Sequence, residues 1–147
     1  MPDEWIFVVH YDAGGSIYDR IKWDSVEYYN GNHSLKVTAD SVSKDFYFIQ
    51  NVIPTNGLQN GQKYRFSLWM KSQYGRIDVY FQDQNWDSIL NLYVEDGTDW
   101  TYKEGIVTVT EDITSFQVLM EIYQPISSPS GLMEGWIDDV KLTIYSE

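Results

Sequence analysis

Carboxylates, amides and aromatic rings alternate with apolar residues in three segments of the chain. The clearest is GRIDVYFQDQNW, residues 75–86, whose polar positions are Asp78, Tyr80 and Gln82. Side chains in a strand point alternately to opposite faces, so this pattern predicts a strand with one apolar face. The second face carries groups that stack on rings and form hydrogen bonds, which solubility alone does not require.

Two further segments repeat this alternation. In residues 63–72 the apolar parity leaves Trp69 on the polar face, and residues 116–123 are organised in the same way. The polar parity of the latter segment includes Gln117, Glu121 and Tyr123. If the three strands share one sheet, their polar faces form a continuous strip of rings and amides.

Such a strip suits a sugar. A pyranose packs its apolar C–H face on an aromatic ring, and its hydroxyls both donate and accept hydrogen bonds. Amides offer both functions, and carboxylates accept strongly. Because each hydrogen bond contributes only about 0.5–1.5 kcal/mol once water is displaced, the expected affinity lies in the micromolar range.

Composition narrows the class of partner. The formal net charge is −12, from 22 acids against 10 bases, and no basic cluster exceeds two residues. Nucleic acids and anionic membranes bind basic surfaces, so both are excluded as partners. Aromatic residues make up 16% of the chain, with 12 Tyr and 6 Trp. A surplus of rings with polar handles indicates a recognition surface.

The compartment is inferred from composition alone. The chain has no Cys, so disulfide patterns give no information on the compartment. No apolar run approaches the ~18 residues of a membrane-spanning helix. The start, MPDEWIFVVH, is too acidic and short for a signal peptide. An acidic, Cys-free chain rich in Tyr and amides is compatible with bacterial secretion, so we expect an extracellular protein whose signal lies upstream.

Short strand patterns, separated by turns rich in Gly, Pro, Asn, Asp and Ser, run along the whole sequence. The predicted strands are Trp5–Tyr11, Ser34–Ala39, Asp45–Val52, Lys63–Ser72, Arg76–Gln82, Ile89–Val94, Gly105–Thr110, Phe116–Tyr123 and Trp136–Tyr145. No stretch has the periodicity of a helix. The sequence therefore predicts an all-β, two-sheet antiparallel β-sandwich of jelly-roll topology, with residues 1–147 forming one domain.

The order of five motifs resembles the carbohydrate-binding modules of families 4, 16 and 22. The motifs are Tyr11-Asp12, GNHSLKV at 31–37, NGQKYRFSLWMK at 60–71, Trp100 before GIVTV at 105–109, and WIDDVKL at 136–142. The resemblance implies a non-catalytic, monomeric jelly-roll module. Such a module binds β-linked plant polysaccharides, here cellulose or other glucan, mannan or glucomannan, and keeps an attached glycoside hydrolase on its substrate.

The resemblance also implies a structural calcium ion away from the sugar groove. Carried over to this chain, its ligands are Asp12, Asn32 in the loop before the second motif, and Asp138. Calcium prefers several oxygen ligands from side chains and backbone together. The alternative interpretation of Asp138 and Asp139 is a solvated acidic pair at a bulge.

Binding residues carry over from the family to four positions: Trp69, Gln82, Gln117 and Glu121. A further stacking ring aligns ambiguously, so Trp23 and Tyr18 compete for it, and Trp86 in the polar loop QDQNWDS is placed to clamp the chain from one end. Tyr80 and Tyr123 complete the predicted site. Trp5 and Trp100 are interpreted as structural, whereas Trp136 is either structural or a further stacking ring.

Three other interpretations stay open. Asp78 and Glu121 could form the carboxylate pair of a glycosidase, although no acidic cluster or nucleophile motif accompanies them. Glu121 could instead pair with Arg65 or Lys71 across the sheet. A structural or adhesive sandwich domain without sugar binding is the alternative function.

Overall fold

The structure, a computed structural model, describes residues 21–39, 45–52, 57–123 and 133–146. These ranges hold nine strands and no helix, and no membrane-spanning helix is found in them. The strands are β1 (Ile21–Asp24), β2 (Ser34–Ala39), β3 (Asp45–Val52), β4 (Lys63–Tyr74), β5 (Ile77–Asp83), β6 (Ser88–Val94), β7 (Thr101–Thr108), β8 (Phe116–Tyr123) and β9 (Met133–Ile144).

The strands form two antiparallel sheets. The five-stranded sheet has the order β1-β2-β9-β4-β7, and the four-stranded sheet has the order β3-β8-β5-β6. The two sheets pack face to face as a jelly-roll β-sandwich, which confirms the predicted fold class. Because consecutive strands repeatedly cross between sheets, distant segments of the chain become neighbours in each sheet.

Three of the predicted strands, β2, β3 and β8, have the predicted bounds. β7 begins four residues earlier and ends two residues earlier than the predicted strand Gly105–Thr110. Its first residues, Thr101 to Glu104, already pair with β4. β1 was not predicted, since four residues carry too little alternation to be recognised. The predicted strand Trp5–Tyr11 lies outside the described residues.

The core is built from apolar side chains of both sheets. The rings of Phe66 and Phe81 stack across the two sheets at 4.8 Å, and Phe81 contacts Phe116 at 4.5 Å. All three side chains are at most 1% exposed. The apolar faces predicted for residues 63–72, 75–86 and 116–123 are therefore confirmed.

The prediction that the polar faces of the three strands form one continuous strip is wrong for β4. β5 and β8 are neighbours in the four-stranded sheet, but β4 belongs to the five-stranded sheet. The polar faces of β4 and β5 consequently point to opposite sides of the sandwich. Alternation along one strand fixes which residues share a face, but it carries no information on which sheet the strand joins.

The sheets approach closely at Gly135 of β9. A Cβ atom at this position would lie 1.9 Å from Cδ1 of Ile77 and 3.2 Å from the carbonyl oxygen of Lys71. Ile77 is fully buried, so its side chain has little room to move. Glycine is required here by packing between the sheets.

We expect Gly135→Ala to lower the free energy of unfolding by about 1–3 kcal/mol, because the new methyl group overpacks the core. Urea denaturation measures the change. Ile77→Val removes the clashing Cδ1 and serves as the partner in a double-mutant cycle. The double variant should be less destabilised than the sum of the single variants. Strict additivity would show that the contact with Ile77 is not the cause.

Candidate functional site

Three rows of side chains cross the outer face of the four-stranded sheet, the face turned away from the five-stranded sheet. Paired residues in antiparallel strands project to the same side. Each row is therefore defined by the register of β8, β5 and β6. The rows are Glu121–Asp78–Tyr93, Leu119–Tyr80–Asn91 and Gln117–Gln82–Ser88.

The backbone of β3 pairs with β8 at the edge of the sheet. Its register places Tyr47 beside Glu121, Ile49 beside Leu119 and Asn51 beside Gln117. With a spacing of about 7 Å between rows and about 5 Å between strands, the surface measures about 14 Å in each direction. We call this surface the polar face.

Polar groups on this face are unusually buried. Asp78 is 0% exposed, Glu121 5%, and Gln82 and Gln117 8% each. Charged and amide side chains are seldom buried to this extent unless they are paired. By contrast, Tyr93 in the first row is 43% exposed. A floor of polar groups thus lies below more exposed aromatic rings.

The third row contains two unsatisfied polar atoms. Oε1 of Gln82 and Nε2 of Gln117 are buried, and neither finds a hydrogen-bond partner in the described part of the chain. Nearly all buried polar atoms in folded proteins are paired, so an exception calls for a bound molecule or a functional reason. The two atoms are an acceptor and a donor on directly paired residues. One hydroxyl group can satisfy both, because it donates and accepts.

The first row is organised by an ion pair. The guanidinium of Arg76 binds both oxygens of Asp78, with Nε to Oδ2 at 2.9 Å and Nη2 to Oδ1 at 3.0 Å. These hydrogen bonds raise the pKa of Arg76. The same guanidinium lies 4.1 Å from the ring centre of Tyr93. Arg76 therefore fixes the buried carboxylate and the exposed ring relative to each other.

The third row ends at a tight loop that carries Trp86. Oδ1 of Asp83 accepts hydrogen bonds from the backbone N–H groups of Asn85 and Asp87, at 2.8 and 3.1 Å. Trp86 adopts a left-handed backbone conformation with φ of +69°. This conformation costs a non-glycine residue about 1–2 kcal/mol, so the loop must hold it in place.

Gln84 attaches this loop to the rest of the sandwich. Its Nε2 donates to the carbonyl of Asp112 at 2.6 Å, and its Oε1 accepts from the N–H of Thr114 at 2.9 Å. The Trp86 side chain is half exposed. Because Gln82 pairs with Ser88 across the loop, a large ring is held at the end of the row with the two unsatisfied amides.

Comparison with known proteins identifies the family of the chain. The family model described as Carbohydrate binding domain (CBM_4_9) matches residues 10–127. The chain belongs to this carbohydrate-binding family. The recognition of a carbohydrate-binding module from the sequence is thereby confirmed. No curated protein matches the chain.

Solved structures of such modules share the fold. A family 4 module has 20% identity and a TM-score of 0.66, with 98% of this chain and 88% of that one covered. A family 61 module in complex with β-1,4-galactotriose has 18% identity and a TM-score of 0.61, with 97% and 90% covered.

A third structure joins a module to an enzyme. It is the family 22 module and GH10 modules of a Clostridium thermocellum xylanase with xylohexaose, at 15% identity and a TM-score of 0.58, and it matches 86% of this chain. The chain spans only 24% of that xylanase chain, and 18% of a bacteriophage CBA120 tailspike chain that it also matches. At these identities the likeness concerns the fold.

The module's family is non-catalytic, and the geometry of the carboxylate pair agrees with this. Asp78 and Glu121 are register partners in the first row, but Arg76 occupies both oxygens of Asp78. The interpretation that Glu121 pairs with Arg65 or Lys71 is wrong, because both cations lie on β4 in the other sheet. There Lys71 binds Glu27 at 2.9 Å, and Arg65 lies 3.4 Å from Glu104.

The module's Trp69 lies apart from the other predicted binding residues. It is on the outer face of the five-stranded sheet, where its ring stacks on Tyr29 at 3.5 Å with an interplanar angle of 16°. Tyr102 contacts it at 5.6 Å. The structure brings together Tyr80, Gln82, Gln117 and Glu121, with Trp86 at their edge, but it does not bring Trp69 to them.

Trp23 lies on β1, at the edge of the five-stranded sheet, and is half exposed. It does not join the polar face either. Tyr123 pairs with Asp45 at the end of β8, but its side chain lies outside the described residues. Tyr18 and Trp5 also lie outside them.

Trp136 and Trp100 form partly buried hydrogen bonds within the sandwich. Nε1 of Trp136 donates to Asp24 at 2.8 Å, and Nε1 of Trp100 donates to Glu27 at 2.9 Å. Hydrogen bonds from Lys71 and then Trp100 lower the pKa of Glu27. These contacts tie the loop after β1 to the five-stranded sheet.

Of the predicted calcium ligands, Asn32 and Asp138 lie among the described residues. Oδ2 of Asp138 accepts from the N–H groups of Tyr29 and Asn30 at 2.8 Å each, and Oδ1 accepts from that of Asp139 at 2.7 Å. These donors use three of the about four acceptor sites of the carboxylate, which leaves one for a cation. Asp12 lies outside the described residues, which hold no cluster of three metal-ligating side chains.

Sequence reasoning missed Tyr93 and Asn91. The alternation LNLYV at 90–94 carried a usable signal for both.

We expect the double variant Gln82→Leu/Gln117→Leu to keep or raise the free energy of unfolding, by up to about 1 kcal/mol, because two unsatisfied buried amides are replaced by apolar groups. Urea denaturation tests this. A loss of more than about 1 kcal/mol would show that the amides are paired in the free protein.

Proposed function

We propose that the polar face binds a chain of neutral, β-linked polysaccharide such as glucan, mannan or glucomannan. The observation that carries this proposal is the buried donor and acceptor of Gln117 and Gln82, side by side and without a partner in the described residues. Such a pair is costly in the free protein. A sugar hydroxyl recovers that cost on binding.

The other rows supply complementary contacts. The rings of Trp86, Tyr80 and Tyr93 offer apolar surfaces for the C–H faces of successive sugar units, and Glu121 accepts hydrogen bonds from hydroxyls. The buried carboxylates and the net charge of −12 disfavour acidic polysaccharides. Binding then needs no chemical step, and rows held by backbone register limit the entropy lost on association.

The β-linkage is supported by the ligands named for two similar structures, β-1,4-galactotriose and xylohexaose. The further proposals are that the module is monomeric, is secreted, and targets an attached glycoside hydrolase. The xylanase that joins such a module to a catalytic one supports this role.

Calorimetric titration with cellohexaose, mannohexaose and xylohexaose tests the proposal. We expect micromolar binding of at least one of them. Trp86→Ala should weaken it about tenfold, about 1.4 kcal/mol, and Gln82→Leu/Gln117→Leu should abolish it. Trp69→Ala is the matched control, because it removes an indole from the opposite sheet, and a folded Trp69→Ala protein should bind as the parent does.

Absence of heat with all three sugars, from a folded protein, would contradict the proposal and favour an adhesive domain. Loss of binding in Trp69→Ala together with full binding in the glutamine variant would move the site to the other sheet.

A structural calcium ion is proposed separately, with Asp12, Asn32 and Asp138 as the candidate ligands. Given the three N–H donors on Asp138, it depends on Asp12 and on backbone oxygens. If calcium is bound, a chelator should lower the melting temperature and added calcium should restore it, because a ligand that binds only the folded state stabilises it. An unchanged melting temperature in differential scanning calorimetry would reject the ion.

A further inference from the structure

A cleft of about 390 Å³ lies at the margin of the five-stranded sheet, away from the polar face. It is lined by Trp23, Asn30, Gly31, Asn32 and His33. Its volume falls at the lower end of the range for small-ligand sites. We propose that this cleft is a second carbohydrate site, which takes a single neutral pyranose unit such as the end of a polysaccharide chain.

The cleft contains a ring that is oriented and accessible. Trp23 pairs with Leu35 of β2, so its side chain projects to the core side of the sheet. Because β1 is the edge strand of its sheet as described, the indole emerges at the margin and stays 49% exposed. His33 meets it edge to face, with ring centres 6.2 Å apart. A large apolar ring surface is thus displayed beside polar groups.

Those polar groups suit hydroxyls. Oδ1 of Asn30 accepts from the N–H of Gly31 at 2.8 Å, which leaves its amide NH₂ to donate. Asn32 and His33 are exposed and offer both donors and acceptors. Gly31, with φ of +73°, turns the chain so that both asparagines line one cleft. No carboxylate is among the lining residues, although the chain carries 22 acids. These lining groups therefore suit a neutral, hydroxyl-rich ligand.

The loop that forms the cleft is held at both ends. Asp138 accepts from the N–H groups of Tyr29 and Asn30, and Asp24 accepts from that of Val26 at 2.8 Å. Ser34 donates to the carbonyl of Glu27 at 2.6 Å. A loop with its backbone already bound loses little entropy when a ligand arrives. This arrangement gives Asp138 a role in shaping the cleft.

The two sites lie on different sheets, so one module can hold two sugar segments at once. When two weak sites bind the same polysaccharide chain, the overall affinity of the module exceeds that of either site alone. The second site stands independently of the polar face, because it shares no residue with it.

The test is NMR titration of the Gln82→Leu/Gln117→Leu protein, in which the polar face is disabled, in chelator-treated buffer. The probes are methyl β-glucoside, methyl β-mannoside, methyl β-xyloside and methyl β-galactoside. We expect saturable shifts of the Trp23 indole N–H and the Asn32 amide with at least one probe, at a Kd of about 1 mM. Asn32→Ala should weaken this binding at least about fivefold, and Trp23→Ala should abolish it.

Tyr28→Ala is the matched control, since Tyr28 is an exposed ring of the same loop that does not line the cleft. It should bind as the parent does. The proposal is overturned if no probe gives saturable shifts or if the shifts persist in Trp23→Ala. If the parent protein gives no heat with any hexasaccharide but the Trp23 shifts are observed, the polar face is rejected as a sugar site and the cleft is retained.

Discussion

The contact of Phe81 with Phe66 and Phe116 joins the two sheets, and the rest of the module follows from it. Once Phe81 is held between the sheets, strict alternation along β5 turns Asp78, Tyr80 and Gln82 to the outer face. The same constraint acts on β8 through Phe116 and orients Gln117 and Glu121 outward. The core thus positions the binding surface, since a shift of one residue in either strand would bury the polar set and expose the apolar one.

Carboxylates organise the loops around this rigid sandwich. Asp83 bonds the backbone of the loop that carries Trp86, and Asp138 bonds the backbone of the loop beside Trp23. In both places a side-chain oxygen replaces the backbone partners that a loop lacks. In each case an exposed indole is held next to side-chain amides. The acidity of the chain therefore serves local structure as well as solubility.

Charged side chains are paired with different partners on the two outer faces. On the polar face, Arg76 neutralises Asp78 while keeping the Tyr93 ring in place. On the opposite face, Lys71 and Trp100 bind Glu27, and Lys36 and Lys71 lie over the ring of Trp136. The polar face leaves two buried amide atoms without partners among the described residues. On the described part of the opposite face the buried atom without a hydrogen-bond partner is Nε of Arg65, and the large rings pack on each other or pair with cations.

The sequence by itself determined the fold class, most strand positions, the apolar face of three strands and the carbohydrate-binding family. These properties depend on local periodicity and on motif order, which the chain carries directly. It also placed Gln82, Gln117, Glu121 and Tyr80 on polar faces, and Trp86 in an exposed loop. Only the tertiary structure decided which of those faces coincide. It moved Trp69 to the opposite sheet, added Tyr93 and Asn91 to the polar face, and set Trp23 beside Asn32. The physical reason is that sheet membership and register arise from packing between segments far apart in the chain, which alternation within one strand does not encode.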